Sequence, residues 1–389
     1  MSMKQNLSIY LHIPFCTTKC TYCAFNTYVN LEKLIPDFIE SLIHEIEIVS
    51  KQNPYPSVGT IYFGGGTPSL LSPKQFDAIL QTLYKCFSVN ADAEISTEAN
   101  PNDLSKDYLQ TLRLLNINRL SIGMQTAIES ELNLFARRHD NKTVLQAFEF
   151  AREAGFDNIN LDLIYGFPYQ TLETWRKSLD QIISLSPEHI SLYALGLEDG
   201  TPLKSWVEKG KLPTPDDDLA ADMYELATDV FQANYEQYEI SNWAKPDYAC
   251  LHNVQYWRNA PYIGLGPGAH GYADGVRYST VLSPQKYIKA LLTEPSQIYD
   301  FPLTPATDQH VMVDQQNEIA ETLITNLRLL KEGVHREGFL QRFGVDLMSL
   351  HGDLFEKFES QDLLKITPEQ VLLTEKGRLL SNIIFRELV

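Results

Sequence analysis

The 389-residue sequence has only five cysteines, no long apolar run and fewer basic than acidic residues. A secreted scaffold stapled by disulfides would be small and would carry an even, dispersed set of cysteines, so that class is excluded. The chain has no run of about 18 or more apolar residues, which predicts that it has no membrane span. Residues 1–8 lack the basic and apolar regions of a signal peptide, which predicts a cytoplasmic protein.

The charge balance argues against a nucleic-acid partner. The chain has 32 basic and 50 acidic residues and a formal net charge of −18. A protein that binds nucleic acid without regard to sequence needs a basic surface to neutralise phosphates, although a local basic groove stays open as an alternative. With no span and no basic excess, association with a membrane would be peripheral and through a partner.

Three of the five cysteines lie together in the segment Cys16-Thr17-Thr18-Lys19-Cys20-Thr21-Tyr22-Cys23. The CxxxCxxC spacing lets Cys16, Cys20 and Cys23 bind three corners of a cubane 4Fe-4S cluster, and no fourth cysteine lies nearby, so one iron stays open for a ligand. A structural zinc site would want four protein ligands. The ordinary alternative is three cysteines that share a loop by chance.

Strand and helix patterns alternate from residue 8 to residue 195. Six strand–helix units in about 200 residues predict an α/β fold with a parallel sheet, and since a complete TIM barrel needs about 250 residues, we expect an incomplete (β/α)6 barrel. We expect three parts: the partial barrel at 1–213, an extension at 214–300 and a C-terminal domain at 301–389. The predicted strands are 8–13, 58–63, 93–96, 119–122, 158–164 and 189–193.

Beyond the barrel the patterns predict a further strand at 238–243, irregular structure over the sheet end at 250–278 and a linker at 295–305. Helices are then expected at 309–330, 334–343, 345–359 and 375–388, with a β-hairpin at 363–374. Helices with a small hairpin predict a mainly helical, winged-helix-like domain. Its acidity favours packing or partner contact over DNA binding.

The predicted strands end in polar or glycine-containing tips, which in a parallel sheet converge on one rim together with the cysteine loop. With Tyr22 beside the last cysteine, the motif resembles the signature of the radical S-adenosylmethionine (SAM) enzymes, whose open iron is chelated by SAM and whose cluster supplies an electron that breaks a sulfur–carbon bond. Glu98, Gln125, Arg137 and Asp162 resemble the coproporphyrinogen oxidase branch of that family.

This resemblance implies a SAM site. Gly65, Gly66 and Thr67 match the family segment that holds the amino group of SAM, and Arg137 suits the methionine carboxylate. Glu98 or Asp162 would accept from ribose hydroxyls. The remaining implied contacts are Tyr10, Tyr22 and Gln125. Taken singly, each of these polar residues would more often be a surface or capping residue.

A second motif separates members of that branch. The oxidases carry an additional cysteine where this chain has Phe25, together with a longer N-terminal arm, whereas His252-Asn253-Val254-Gln255-Tyr256-Trp257 resembles the HNxxYW motif of the branch's heme chaperones. A neutral His252 could ligate heme iron, Asn253 could orient it or bind a propionate, and Tyr256 with Trp257 could face the macrocycle. The alternative is a core histidine with satisfied hydrogen bonds beside two core aromatics.

The sequence therefore predicts a heme chaperone with three cofactors or ligands: a 4Fe-4S cluster, SAM and heme. Its partners would be heme, recipient apo-hemoproteins such as respiratory enzymes, and an electron donor for the cluster. One alternative is an oxygen-independent coproporphyrinogen III oxidase, which decarboxylates two propionates to vinyls. The other is a radical enzyme with a different substrate, in which His252 is structural.

Overall fold

A computed structural model of the chain describes residues 6–293 and 298–388. Within these residues, twelve strands form one sheet, and a smaller three-stranded sheet lies near the C-terminus. The predicted linker lies partly outside the described residues. No helix within 6–293 or 298–388 is both long and apolar enough to cross a membrane.

The strands of the large sheet are β1 Leu7–Ile13, β2 Val58–Gly65, β3 Val89–Ala99, β4 Arg119–Gln125, β5 Ile159–Tyr165, β6 His189–Ala194, β7 Glu236–Glu239, β8 Asn242–Ala244, β9 Tyr262–Leu265, β10 His270–Ala273, β11 Val276–Thr280 and β12 Thr307–Met312. The small sheet contains β13 Val334–His335, β14 Leu364–Ile366 and β15 Gln370–Leu373. The helices are α1 Ile35–Ser50, α2 Pro73–Cys86, α3 Lys106–Leu114, α4 Glu129–Leu134, α5 Asn141–Glu153, α6 Leu172–Leu185, α7 Pro202–Glu208, α8 Asp217–Phe231, α9 Leu251–Trp257, α10 Pro284–Leu292, α11 Gln315–Asn326, α12 Arg336–Phe343, α13 Leu347–Ser360, α14 Glu375–Leu379 and α15 Ser381–Arg386.

The first six strands confirm the predicted barrel units. β1 to β6 are neighbours in chain order and all pair in parallel. β9 adds a further parallel strand beside β1, and antiparallel strands extend the sheet at both edges, to β12 on one side and β7 on the other. Because β12 belongs to this sheet, the barrel layer continues past the expected boundary at residue 301.

The strand expected at 238–243 is wrong, because the segment is a tight hairpin. Glu239 in β7 pairs with Asn242 in β8, and the buried carboxylate of Glu239 accepts a hydrogen bond from the Ser241 N–H at 3.0 Å. This local bond closes the turn, so β8 runs antiparallel beside β6 instead of continuing one strand. A side chain that bonds its own backbone two residues on favours a turn over an extended strand.

The irregular structure expected at 250–278 is also wrong: the segment forms α9, β9, β10 and β11. The glycines that suggested irregularity are there for close packing. A Cβ on Gly264 would lie 1.9 Å from the His270 carbonyl oxygen, and one on Gly271 would lie 2.3 Å from the Tyr278 ring. Glycine at these positions lets neighbouring strands approach closely.

The helix expected at 309–330 divides into β12 and α11, because residues 307–312 pair with β11 along the sheet edge. Asp314 then caps α11 by accepting from the Asn317 N–H at 2.8 Å. The helix expected at 375–388 is interrupted at Leu380, between α14 and α15. The other C-terminal helices and the hairpin of β14 and β15 are present, and they share a separate apolar core with Ile240 packed against it.

Candidate functional site

The cysteine loop follows β1 and is fastened on both sides. Cys16 N–H donates to the Tyr28 carbonyl at 2.9 Å, and Tyr28 N–H donates to the Pro14 carbonyl at 2.8 Å. On one flank, the Thr21 hydroxyl donates to the Leu134 carbonyl at the end of α4. On the other, the Asn26 amide donates to the Pro267 carbonyl at 2.9 Å. The loop is therefore held by elements far apart in the sequence.

The three thiols are half-buried and free of disulfides. Burial raises the pKa of the Cys16 and Cys23 thiols. Thr67 Oγ1 donates to Cys16 Sγ at 3.3 Å, and Arg137 Nη1 donates to Cys20 Sγ at 3.4 Å, so two donors are aimed at the sulfurs. Among the described residues no group of three His, Cys, Asp or Glu side chains could hold a single metal ion, whereas each cysteine of a 4Fe-4S cluster binds a different iron. Thiol ligands with hydrogen-bond donors beside them fit such a cluster.

The glycine tip of β2 lies directly against the cysteine loop. Gly66 N–H donates to the Ile13 carbonyl and Thr67 N–H to the Phe15 carbonyl, both at 2.8 Å. A Cβ on Gly66 would lie 2.7 Å from the Phe15 oxygen and 2.8 Å from the Ile13 oxygen. Gly65 adopts φ +107°, a conformation that favours glycine. The glycine tip and the cysteine loop therefore pack directly against each other, so a shift of one segment displaces the other.

Gly66→Ala is expected to push this tip away from the loop. Overpacking of this kind costs about 1–3 kcal/mol of unfolding free energy, and we expect weaker SAM binding because Gly65 and Thr67 move with it. Gly352→Ala is the control, because an added Cβ there meets only Met348 side-chain atoms at 3.7 Å or more. Isothermal titration with SAM and thermal unfolding measure both effects. Wild-type affinity and stability in Gly66→Ala would contradict the packing argument.

Two half-buried carboxylates, Glu98 and Asp162, border the cavity close to the glycine tip. Glu98 accepts from the Tyr62 hydroxyl at 3.0 Å and from the Gly65 N–H at 3.1 Å. Asp162 accepts from Ser121 Oγ at 2.9 Å and from Asn160 Nδ2 at 2.8 Å. Burial, together with the nearby charge of Asp162, raises the pKa of Glu98 to about 7, and burial also raises the pKa of Asp162. Glu98 therefore changes its charge near neutral pH.

SAM binding is expected to weaken as the pH falls through 7. The sulfonium of SAM is positive, so SAM held in this cavity would bind better near ionised Glu98, and protonation of Glu98 below its folded pKa of about 7 would remove that attraction. The loss can approach about tenfold per pH unit. Titrations of SAM between pH 6 and pH 8 on wild type and Glu98→Gln measure it. Equal pH slopes in the two proteins would assign the dependence to another group.

Arg137 links the cysteine loop to β4. Its Nη2 donates to the Gly123 carbonyl at 3.1 Å, while Nη1 contacts Cys20. Gln125 ends β4 in a left-handed conformation, φ +68°, after a register shift that follows Gly123. The Tyr10 hydroxyl bonds His12 Nδ1 at 3.1 Å, and the Tyr22 ring packs edge-on against Phe135 with centroids 4.8 Å apart. Both tyrosines border the same space as Arg137.

Every predicted site residue borders one cavity of about 880 Å³. The cavity runs from the cysteine loop at the rim to α9, and it falls in the size range of ligand pockets. The fold therefore brings the residues that the sequence singled out around one cavity. The sequence did not establish how each of them is bonded.

His252 is buried, with 2% of its surface exposed, and both of its ring nitrogens are bonded. Nδ1 bonds Thr60 Oγ1 at 2.7 Å, and Nε2 bonds the Tyr256 hydroxyl at 2.9 Å. The ring stacks on Tyr62 with centroids 5.1 Å apart. Burial, helped by the charge of Arg119, lowers the pKa of His252 to about 3, so the imidazole is neutral. This is the hydrogen-bonded core histidine of the alternative interpretation, in the protonation state that a metal ligand needs.

The other residues of the HNxxYW motif also contact protein side chains, through a hydrogen bond, a ring contact and a cation–π contact. Asn253 Nδ2 donates to the Tyr238 hydroxyl at 3.3 Å, and the Tyr256 ring packs edge-on against Tyr262 at 4.5 Å. The Arg328 guanidinium lies 4.2 Å from the centre of the Trp257 ring and covers that face. The Trp257 indole N–H is buried without a partner in the described structure.

Sequence reasoning missed several residues of the cavity wall. Phe25 and Tyr193 are exposed by 69% and 46% and form an apolar part of the lining. Arg328, which follows α11, reaches the cavity from the C-terminal segment and pairs with Glu239 at 3.5 Å. Arg119 lies on its floor. The sequence signal that could have identified Arg119 is a charged residue at the start of a strand predicted within the parallel sheet.

The sequence profile of the radical SAM superfamily matches residues 10–182, and that of the HemN C-terminal domain matches residues 313–380. The chain is 36% identical to "Heme chaperone HemW" of Bacillus subtilis over 97% of this chain and 98% of that protein. It is 35% identical to the protein of the same name from Lactococcus lactis over 100% of this chain and 98% of that protein. The solved structure of coproporphyrinogen III oxidase (HemN) from Escherichia coli covers 99% of this chain, and this chain covers 90% of it, with a TM-score of 0.82 at 24% identity.

Proposed function

Because this chain belongs to the radical SAM superfamily and, within it, to the family of the heme chaperone HemW, we propose that it binds a 4Fe-4S cluster, SAM and heme and delivers the heme to apo-proteins such as respiratory enzymes. The observation that carries this proposal is the shared cavity, which the cysteine loop and the HNxxYW segment both border. The proposed location is the cytoplasm, with any membrane association through a recipient protein.

Cys16, Cys20 and Cys23 would hold the cluster, which when bound with SAM supplies one-electron chemistry. Thr67 and Arg137 donate hydrogen bonds to two of the three sulfurs, which stabilises thiolates and orients them. The glycine tip and Arg137 would hold the amino acid part of SAM. Glu98, Asp162, Gln125, Tyr10 and Tyr22 would contact the rest of it.

We place the heme toward the α9 side of the cavity, beside the HNxxYW residues. His252 is a neutral imidazole, and its Nε2 would become an axial ligand once the Tyr256 hydroxyl turns away. Asn253 would bond a polar edge of the ligand, and Tyr256 and Trp257 would line the wall. Phe25 and Tyr193 offer exposed aromatic surface toward the same space, where a flat apolar macrocycle can bury them.

Transfer of heme to an acceptor tests the chaperone function. The cluster-reconstituted protein is loaded with heme under anaerobic conditions and mixed with an apo-cytochrome b, and the Soret band of the acceptor is followed. We expect holo-cytochrome to form faster than from heme carried by serum albumin, which is the control for passive release. Transfer no faster than from albumin would contradict a chaperone.

The two rival functions have their own readouts. An anaerobic assay with coproporphyrinogen, SAM and a reductant is expected to yield no vinyl product, and vinyl product would support the oxidase instead. Phe25, in the position where the oxidases carry another cysteine, favours the chaperone. Reductive turnover of SAM in a protein with no affinity for heme would support a radical enzyme with another substrate.

A further inference from the structure

Arg119 is a buried cation in the cavity floor that lacks a direct partner. It is the first residue of β4, only 2% of its surface is exposed, and it borders the cavity. Among residues 6–293 and 298–388, none forms a hydrogen bond or an ion pair with its guanidinium, and its Nε is fully enclosed without an acceptor. Burying a guanidinium is costly unless an anion or several acceptors compensate for the lost water.

The nearby carboxylate of Glu94 acts on Arg119 through its charge, which raises the pKa of the guanidinium against the effect of burial, but none of the surrounding carboxylates forms a direct hydrogen bond with it among the described residues. Glu94 accepts from the N–H groups of Leu251 and His252, both at 3.0 Å. Glu98 and Asp162 accept hydrogen bonds from the donors described above. The terminal nitrogens of Arg119 are left to bind something that enters the cavity.

Arg119 and Arg137 lie at different depths. Gly123, whose carbonyl bonds Arg137, is four residues further along β4. At a rise of about 3.3 Å per residue, the backbone of Arg119 lies roughly 13 Å below that of Gly123. Arg137 is therefore beside Cys20 at the rim, where the SAM carboxylate would bind, whereas Arg119 serves a separate position at the inner end.

We propose that Arg119 is a carboxylate-binding residue that receives a propionate of the tetrapyrrole held in this cavity. The assignment rests on the proposed heme function and deepens it by naming the group that fixes the orientation of the ligand. The planar fork of arginine matches a carboxylate through two parallel hydrogen bonds, which suits a propionate better than a neutral edge of the macrocycle.

Esterification of the propionates removes their negative charge, so a comparison of free acid and ester tests the contact between Arg119 and a propionate. Fluorescence titrations compare protoporphyrin IX with its dimethyl ester on wild type, Arg119→Gln, Arg119→Lys and Arg258→Gln. We expect wild type to bind the free acid roughly 10- to 100-fold more tightly than the ester. Arg119→Gln is expected to lose this preference while its affinity for the ester stays the same, and Arg119→Lys should keep part of it. Arg258 pairs with Glu332 on the surface, so its variant should behave as wild type.

The outcomes separate the two proposals. If neither porphyrin binds wild type, the role of Arg119 is overturned, and a titration of wild type with heme decides separately whether the heme function stands. If both bind equally well, or if Arg119→Gln keeps the preference for the acid, only the role of Arg119 is overturned. Iron content and thermal unfolding show whether each variant is folded. If Arg119→Gln does not fold, the comparison of acid and ester on wild type and Arg119→Lys decides.

Discussion

Cys20→Ser is expected to lower the iron content of the reconstituted protein from about four atoms per chain to nearly none. The CxxxCxxC segment supplies only three protein ligands, so the loss of one leaves two of the four irons without a cysteine. The Cys20 sulfur is also the acceptor for Arg137, so its loss leaves that guanidinium without its thiol partner. Iron and sulfide analysis with the visible and EPR spectra measures the effect.

Cys86→Ser is the matched control for this experiment. Cys86 ends α2, is half-buried and packs at the edge of the main core, away from the cavity. Its variant should reconstitute the cluster as wild type does. A full cluster in Cys20→Ser would show that another residue takes the place of Cys20 and would contradict the assigned ligand set.

Glu45→Ala is expected to lower the free energy of unfolding by about 3–5 kcal/mol, because each unpaired buried donor costs about 1–3 kcal/mol. The carboxylate is fully buried in α1 and accepts three hydrogen bonds: from the Gly266 N–H at 2.9 Å, the Tyr287 hydroxyl at 2.7 Å and the Thr304 hydroxyl at 2.8 Å. Since domains are stable by about 5–15 kcal/mol in total, this loss is large. Urea denaturation measures it.

The substitution of Glu45 should also disturb the cysteine loop, because Glu45 holds the turn that Asn26 contacts. Gly266 begins the turn whose Pro267 carbonyl accepts from Asn26, and a Cβ on Gly266 would lie 2.4 Å from the His12 carbonyl oxygen. Loss of Glu45 is therefore expected to lower the yield of reconstituted cluster as well as the stability. Glu47→Ala is the control, because the Glu47 side chain is partly exposed and, among the described residues, forms an ion pair with surface Lys85 alone, a contact that contributes little to stability. Equal stability of the two variants would contradict this account of Glu45.

The barrel could be predicted because its signals are local. β1, β2 and β5 read as mostly apolar runs, and most helices between the barrel strands show one apolar face, so pattern and topology agree. The later strands could not be predicted in the same way. β12 forms because β11 offers it a sheet edge, and the β9–β11 region depends on how closely glycine lets strands approach. Neither cause is visible in a short window of sequence.

The candidate site likewise has features that the sequence could predict and features that only the fold shows. The cysteines, the glycine tip and the polar residues at strand ends could be placed together, because parallel strands bring their carboxyl ends to one rim. The bonding of His252 could not be predicted, since its partner Thr60 is 192 residues away in the sequence. The environment of Arg119 could not be predicted either, because only the folded barrel shows that the neighbouring carboxylates accept hydrogen bonds from other donors.

The most direct test of the account is an anaerobic heme titration of the cluster-reconstituted wild type, His252→Ala and Tyr256→Phe. We predict tight binding of about one heme per chain by wild type, weaker binding with an altered Soret band in His252→Ala, and affinity at least equal to wild type in Tyr256→Phe, because that variant frees Nε2 of His252 from its hydroxyl partner. Loose binding by wild type, or a His252→Ala spectrum and affinity identical to wild type, would contradict the assignment of heme to the HNxxYW segment.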